Sequence, residues 1–246
     1  MNGVALITGA ASGIGEATAV KLAASEWSVA AVDINPDGLA SLARRVGGVR
    51  THVCDVSDAS AVNGLTSAAG PVDRLVHAAA VTQLGRALDQ PREDFDRIWR
   101  VNFVGTVNVV RAFLPAMVER GRGEVVLYSS MAGWLPQWNL SAYTASKAAV
   151  NAYAEVLAAE CRDSGVKIRC VCPALVDTPQ YRALAAQDPT MAGHIMSASA
   201  IVDAVERSLA SDGLFVFPGW DAKVGIALWR YFPWLLRVTD RRTGKS

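Results

Sequence analysis

Short runs of consecutive apolar residues recur along the chain, and between them apolar residues return every three to four positions. The runs are GVALIT (3–8), SVAAVD (28–33), VRTHVC (49–54), RLVHAA (74–79), EVVLYS (124–129), VKIRCVC (166–172) and LFVF (214–217). Most lack the strict alternation of a half-exposed strand, which predicts parallel strands covered on both faces. Helical spacing falls near 13–26, 36–46, 58–69, 92–119, 142–164 and 198–211, with Pro115 expected to kink or end the fourth helix. Strand and helix alternate, so the fold class is α/β: a doubly wound parallel sheet of about seven strands with helices on both faces. No repeat, linker or composition shift divides the chain. Residues 1–246 read as one domain, with 219–246 as an apolar and basic C-terminal extension of it.

Composition narrows the function. A chain of 246 residues with 51% hydrophobic and 19% charged residues suits a soluble globular domain with ample core. A net charge of +1 without a block of like charge argues against a nucleic-acid partner. The N-terminal MNGVALITGAASGIG has neither the basic region nor the cleavage pattern of a signal peptide. Cys54, Cys161, Cys170 and Cys172 match no zinc spacing. No metal site is expected, and the thiols read as reduced and buried in a cytoplasmic protein.

Two motifs carry chemistry. The first run leads into TGAASGIG, with Gly9, Gly13 and Gly15 between a strand and a helix. Glycines there allow a tight turn and close backbone approach at a helix N-terminus, where free N–H groups favour phosphate. The second run ends at Asp33, which either caps a helix or holds a turn, or accepts hydrogen bonds from an adenosine ribose. The latter role would repel a 2′-phosphate and so favour NAD. Asp55, after the third run, either caps a helix or receives the adenine amino group. The second motif is Tyr143, one helical turn before Lys147. Such a pair is either an ordinary surface pair or a phenol whose pKa a neighbouring ammonium lowers toward working pH.

These residues resemble the short-chain dehydrogenase/reductase family, with its Rossmann-type fold, over residues 3 to about 218. TGAASGIG is similar to the family's cofactor loop, YTASK to its Y-x-x-x-K pair, and CPALVDT to its P-G-x-V-x-T segment. Ser130 lies thirteen residues before Tyr143, the interval of the family's serine, with Ser129 as competitor; Asn102 stands in RVNFVGT where the family has a helix asparagine. The resemblance implies that Tyr143 is the acid/base, that Lys147 lowers its pKa and binds the nicotinamide ribose, and that Ser130 bonds the substrate oxygen. Asn102 would hold a water that links Lys147 to solvent. NAD would lie against Gly9, Ser12, Gly13, Ile14 and Gly15, then Asp33, Asp55 and Val56. It would continue past Ala78 and Ala79, over Tyr143 and Lys147, and under Pro173, Val176 and Thr178. Two departures stand out. The family's N-N-A-G reads HAAA at 77–80, with His77 expected to be structural, and Ala174 replaces a glycine.

The family resemblance implies an NAD-dependent oxidoreductase interconverting a secondary alcohol and a ketone. A non-catalytic NAD-binding regulator is the alternative. Sugar epimerisation or dehydration fits less well, because the related enzymes usually carry a different glycine spacing and a larger C-terminal domain. Homodimers or homotetramers are expected, built partly through the helices bearing Asn102 and Tyr143. The segments that would wall the substrate hold Met131, Trp134, Leu135, Pro136, Trp138 and Leu140, then Tyr181, Leu184, Met191, Ile195 and Met196. Charged groups there are few: Arg182, Asp188 and His194. Trp134, Trp138 and Tyr181 are the leading substrate contacts, and the composition suits a bulky hydrophobic substrate such as a steroid, terpenoid, aryl or long-chain alcohol. In the extension, Val224, Leu228, Tyr231, Leu235 and Val238 fall near one helical face, with Trp220, Trp229, Trp234 and several arginines around them and Pro233 as a break. The segment is too interrupted to form a transmembrane span. It is expected to pack on the domain, over the site or across a subunit interface; weak contact with a membrane surface is the alternative.

Overall fold

The computed structural model describes residues 3–188, 191 and 193–231. Seven parallel strands form one sheet: β1 (Val4–Thr8), β2 (Ser28–Asp33), β3 (Val49–Val53), β4 (Arg74–His77), β5 (Gly123–Tyr128), β6 (Val166–Val171) and, as seventh, Phe215–Val216. A separate pair, β7 (Leu175–Asp177) and β8 (Ile195–Ser197), makes that seventh strand β9 in chain order. The sheet order is β3-β2-β1-β4-β5-β6-β9. The chain reverses direction between β1 and β4, and a crevice opens there at the C-terminal strand ends, where doubly wound sheets bind ligands.

Successive strand residues point to opposite faces, so each apolar run supplies two cores. Leu6, Leu75, Val125, Leu127 and Cys170 pack beneath α3 (Ala59–Ala69), α5 (Gly105–Glu119) and α6 (Ser141–Glu160). Ile7, Val76, Val126 and Val171 pack beneath α1 (Gly13–Ala24), α2 (Pro36–Arg45) and α8 (Ala198–Ser208). Every expected strand and helix is present, with ends shifted by at most four residues.

The fourth helix is α4 (Arg92–Trp99) joined to α5 through a π-helical turn, Arg100–Val104, which carries Asn102. Pro115 does not end it; the helix continues to Glu119. The carbonyl freed by Pro115 belongs to Arg111, and both residues are exposed, so water can satisfy it. Arg92–Glu119 is the one described helix long and apolar enough to cross a membrane, but its Val109, Val110, Phe113, Leu114 and Met117 are buried in the core.

A helix not expected from the sequence, α7 (Pro179–Gln187), lies between β7 and β8. The extension forms α9 (Trp220–Tyr231); of its expected apolar face, Val224 and Tyr231 are exposed in the single chain and Leu228 is half-buried. Trp220 is 70%, Val224 48% and Tyr231 69% exposed, whereas Ala222 is 1% exposed. The helix approaches the domain through its small residues, because these allow close backbone approach. Pro233, Trp234, Leu235, Val238 and the arginines from Arg237 onward lie outside the described residues.

Candidate active site

The crevice holds a cavity of about 840 Å³. One end is built by the glycine loop. Gly9 and Gly13 have φ of 70° and 58°, which side-chain-bearing residues rarely adopt. A Cβ at Gly9 would stand 2.7 Å from the Ala79 amide nitrogen, and one at Gly15 would stand 2.1 Å from the Gly9 carbonyl oxygen. Glycine is therefore required by contact as well as by φ. Ser12 caps α1 in an extended conformation without a side-chain bond, so the first-turn N–H groups lack that acceptor. Such a helix start suits a phosphate.

Asp33 ends β2 on the cavity wall. Its Oδ2 accepts the Ala11 N–H at 3.0 Å and its Oδ1 the Asn35 N–H at 2.9 Å. The cap of α2 is Asn35, so Asp33 braces the glycine loop and keeps lone pairs toward the cavity. Asp55 accepts the Ser57 N–H at 2.8 Å and also lines the cavity, while Asp58 caps α3. Neither aspartate is a helix cap, but the bond from the Asn35 N–H makes Asp33 a turn residue as well, the other alternative at that position.

The other end gathers the polar triad. β5 delivers Ser129 and Ser130 at its C-terminal tip, and α6 delivers Tyr143 and Lys147 one turn apart. Ser130 hydrogen-bonds the Tyr143 phenol. Ser129 instead donates to the Lys147 carbonyl at 3.0 Å, fixing β5 to α6. Lys147 is 2% exposed; its Nζ donates to the Tyr128 carbonyl at 2.8 Å and lies 5.7 Å from the Tyr143 ring centre. Burial depresses the lysine pKa to about 8, against the raising influence of Cys170 and Cys172. The phenol does not follow the expected direction. Burial pushes the Tyr143 pKa above its ordinary value, and the Ser130 bond only partly opposes this. Removing water disfavours the phenolate more than the surrounding groups restore it.

Asn102 is buried and does not line the cavity. Its Oδ1 accepts the Val81 N–H at 2.8 Å, and its Nδ2 donates to the Val81 carbonyl at 2.9 Å and to Ser146 Oγ at 3.0 Å. The side chain ties the loop after β4 to α6. His77 is buried at the end of β4, with Nδ1 2.8 Å from Thr8 Oγ1, and burial with the nearby Lys147 charge lowers its pKa to about 3. It is a neutral imidazole that joins β4 to β1, the structural role expected.

All the glycine-loop residues expected at the cofactor, together with Asp33, Asp55, Val56, Ala78, Ala79, Pro173, Val176 and Thr178, line this one cavity. Of the three leading substrate residues, Trp138 and Tyr181 line it and Trp134 does not. Trp134 packs edge-on to Phe215, with ring centres 5.0 Å apart, and donates to Cys172 Sγ at 3.4 Å. A half-buried indole needs both apolar cover and an acceptor, and Phe215 of β9 and Cys172, just past β6, supply them. Ile195 and Met196 belong to β8 rather than to the wall, and Arg182 is paired with Asp177 on the surface at 2.7 Å. Ala222 and Gly225 of α9 line the cavity and were not anticipated. Their signal was the spacing of small residues in the extension, obscured by the larger residues around them.

The sequence profile of the family described as short chain dehydrogenase matches residues 3–189. The chain belongs to this family. Among its relatives, the probable oxidoreductase EphD of Mycobacterium tuberculosis is 41% identical over 181 residues, which are 70% of this chain and 31% of that protein. The chain therefore spans about a third of EphD. The 1-deoxy-11-beta-hydroxypentalenate dehydrogenase of Streptomyces avermitilis is 33% identical over 243 residues, covering 92% of this chain and 90% of that one. The crystal structure of levodione reductase superposes with a TM-score of 0.83 at 26% identity, covering 90% of this chain and 97% of that chain. Short-chain dehydrogenases are oxidoreductases that use NAD or NADP. The cavity fits such a cofactor: Gly9, Gly13 and Gly15 bare the loop backbone, a helix start faces it, and the Asp33 carboxylate lines the wall. In place of the family asparagines of N-N-A-G, the Thr8–His77 bond braces β1 against β4.

Proposed function

We propose that this short-chain dehydrogenase interconverts a hydrophobic secondary alcohol and its ketone with NAD(H) as preferred cofactor. The observation that carries the proposal is the convergence of Tyr143, Ser130 and Lys147 with the glycine loop and Asp33 on a single cavity. The N-terminus of α1 would hold the cofactor diphosphate and Asp33 the adenosine ribose hydroxyls. Lys147 would hold the nicotinamide ribose. When bound, the nicotinamide supplies or accepts the hydride.

The chain's own residues manage the proton. Tyr143 holds it on the phenol oxygen, donates it to a carbonyl in reduction and takes it from a hydroxyl in oxidation. Burial keeps the phenol protonated in the free protein, which suits donation, and the Lys147 ammonium stabilises the phenolate that follows. Ser130 hydrogen-bonds the phenol and would bond the substrate oxygen as charge develops there. Asn102 positions the loop after β4 against α6 through Val81 and Ser146, where it would also hold the water that links Lys147 to solvent.

The substrate end supports an apolar ligand. Met131, Leu135, Leu140, Leu184 and Met191 line it beside Trp138. Tyr181 donates its hydroxyl to the Met191 carbonyl at 2.9 Å, holding α7 against the following loop. Of the cations on the wall, Lys147 belongs to the triad, and Arg97 bonds Gln83 at 2.8 Å and faces Asp94 at 3.5 Å. A phosphate or dicarboxylate needs fixed cations to offset its desolvation. Four free, buried thiols support a reducing, cytoplasmic setting. A groove between α5 and α6, formed by Val110, Leu114, Val118, Tyr153 and Leu157, supports a homodimer or homotetramer built on those helices.

The test is turnover with NADH and NADPH on a homologous series of 2-alkanones, with cyclic and steroid ketones beside them. The proposal expects kcat/KM to rise with apolar size and NADH to be preferred. Inactivity across the series, with cofactor binding intact, would instead indicate the non-catalytic regulator. Efficient turnover of a short anionic substrate would refute the substrate class.

A further inference from the structure

α9 has two faces of opposite character. Ala222 and Gly225 face the cavity. On the opposite side Trp220, Val224, Ala227 and Tyr231 are exposed at i, i+4, i+7 and i+11, the spacing of one straight stripe along a helix. Lys223 is exposed beside this stripe. A large apolar stripe facing water on the helix that borders a ligand cavity marks an interaction surface.

The surrounding chemistry selects the partner. Trp and Tyr near the two ends of the stripe have the amphipathic rings that favour a membrane–water interface. Residues 220–246 contain six Lys or Arg against two Asp, a net +4 in a chain whose total is +1, so the remaining residues sum to −3. The basic excess of the chain thus falls, in sequence, from the start of the helix that carries the apolar stripe onward. The sequence continues from Tyr231 as FPWLLRVTDRR, alternating aromatic and apolar residues with arginines. On the cavity wall, Trp138 is exposed with the Arg86 guanidinium 5.7 Å from its ring centre, and Leu88 of the same loop is almost wholly exposed. Exposed aromatic residues and cations therefore occur on two separate elements bordering the cavity.

We propose that α9 docks this protein on an anionic lipid surface, with Trp220, Val224 and Tyr231 entering the headgroup boundary. Apolar burial and attraction to anionic headgroups act together in such docking. The helix that docks also forms part of the cavity wall. A lipophilic substrate dissolved in the bilayer would then reach the cavity without crossing bulk water.

The experiment is flotation of the full chain with phosphatidylcholine vesicles, with and without one third phosphatidylglycerol. It reads binding and is independent of turnover, so its outcome is separate from that of the proposed reaction. Expected results are binding to the phosphatidylglycerol vesicles that weakens as salt is raised, and much weaker binding to phosphatidylcholine alone. The triple variant Trp220→Ser, Val224→Ser, Tyr231→Ser changes exposed side chains only. It should lose at least tenfold in partitioning with an unchanged melting temperature, and Lys223→Glu should lose a smaller amount that salt abolishes. Absence of binding by the unmodified chain, or full binding by the triple variant, would overturn the proposal. So would a triple variant whose main change in sedimentation is from a larger to a smaller oligomer, since the stripe would then seat a second copy of the chain.

Discussion

Lys147→Met should make the protein more stable at neutral pH while disabling it. Lys147 is 2% exposed, and burial lowers its pKa from 10.5 to about 8. At about 1.4 kcal/mol per unit, keeping the ammonium charged inside the fold costs about 3 kcal/mol at pH 7. Methionine fills a similar volume without a charge. It forfeits the bond from Nζ to the Tyr128 carbonyl at 2.8 Å, whose loss costs about 1–2 kcal/mol. The net gain is about 1–2 kcal/mol, which corresponds to roughly 2–8 °C in melting temperature for a chain of this size.

The pH dependence gives an internal control. The folded pKa lies below the unfolded one, so between about 8 and 10.5 the unfolded chain holds the extra proton. Stability of the unmodified protein therefore rises with pH through that window, relative to the variant, so the variant's advantage closes inside the window and reverses above it, where only the lost Nζ bond remains. Below pH 8 the full penalty is present and the gap is constant. Melting curves at pH 7, 8, 9 and 10 without cofactor measure both effects. Turnover of the variant should fall at least about a hundredfold, because the phenolate loses its compensating charge. A variant that melts below the unmodified protein at pH 7, with parallel pH slopes, would refute the claim that this lysine is held at a cost to stability for the chemistry.

Tyr143→Phe retains the ring and removes the proton, so turnover should fall at least about a hundredfold with NADH binding kept, as measured by fluorescence titration. Asp33→Ala should narrow the preference for NAD(H) over NADP(H), measured as the ratio of kcat/KM; an unmodified enzyme that prefers NADPH contradicts the role given to Asp33. At Gly225 a Cβ would sit 3.4 Å from Leu135 Cδ1 and 3.5 Å from Met131 Cε, so alanine should fold normally, whereas leucine should occupy substrate space. At about 0.8 kcal/mol per displaced CH₂, Gly225→Leu should lower kcat/KM for the bulkiest ketones at least about tenfold relative to the smallest. Trp134→Ala should cost about 2–3 kcal/mol of stability in a denaturant melt, less than a fully buried tryptophan, with substrate preference unchanged, because its half-buried ring packs on Phe215 and outside the cavity.

The strands were legible because their apolar runs must cover both faces of a parallel sheet. The cofactor end was legible because its constraints are local: Gly9 and Gly15 are forced by backbone contacts within the loop and at Ala79. The small β7–β8 pair was not, since each strand has three residues and its partner lies across α7. The π-helical turn at Arg100–Val104 leaves no mark in apolar periodicity. Trp134 and Trp138 show the limit at the substrate end. They are four residues apart, yet one is locked between β6 and β9 and the other is exposed on the cavity wall. Residue type cannot separate them; the direction of the chain leaving β5 does. α9 repeats the problem, because periodicity identifies a stripe but not which side the protein covers.

The Tyr143–Lys147 pair shows why spacing predicts geometry better than it predicts ionisation. The four-residue interval places both groups on one helix face, as read. The same helix buries them, and burial acts on the two in opposite senses. It raises the phenol and lowers the ammonium, so each is driven toward its neutral form. A proton moved off Tyr143 creates the negative charge that Lys147 lacks, and the two penalties then offset each other in the low-dielectric site. The pair is therefore at its best when the phenol has given its proton away, as it must after reducing a carbonyl. Complementarity to that charged state rather than to the resting one is what catalysis requires. The resting penalties at Tyr143 and Lys147 are the corresponding strain in the free protein.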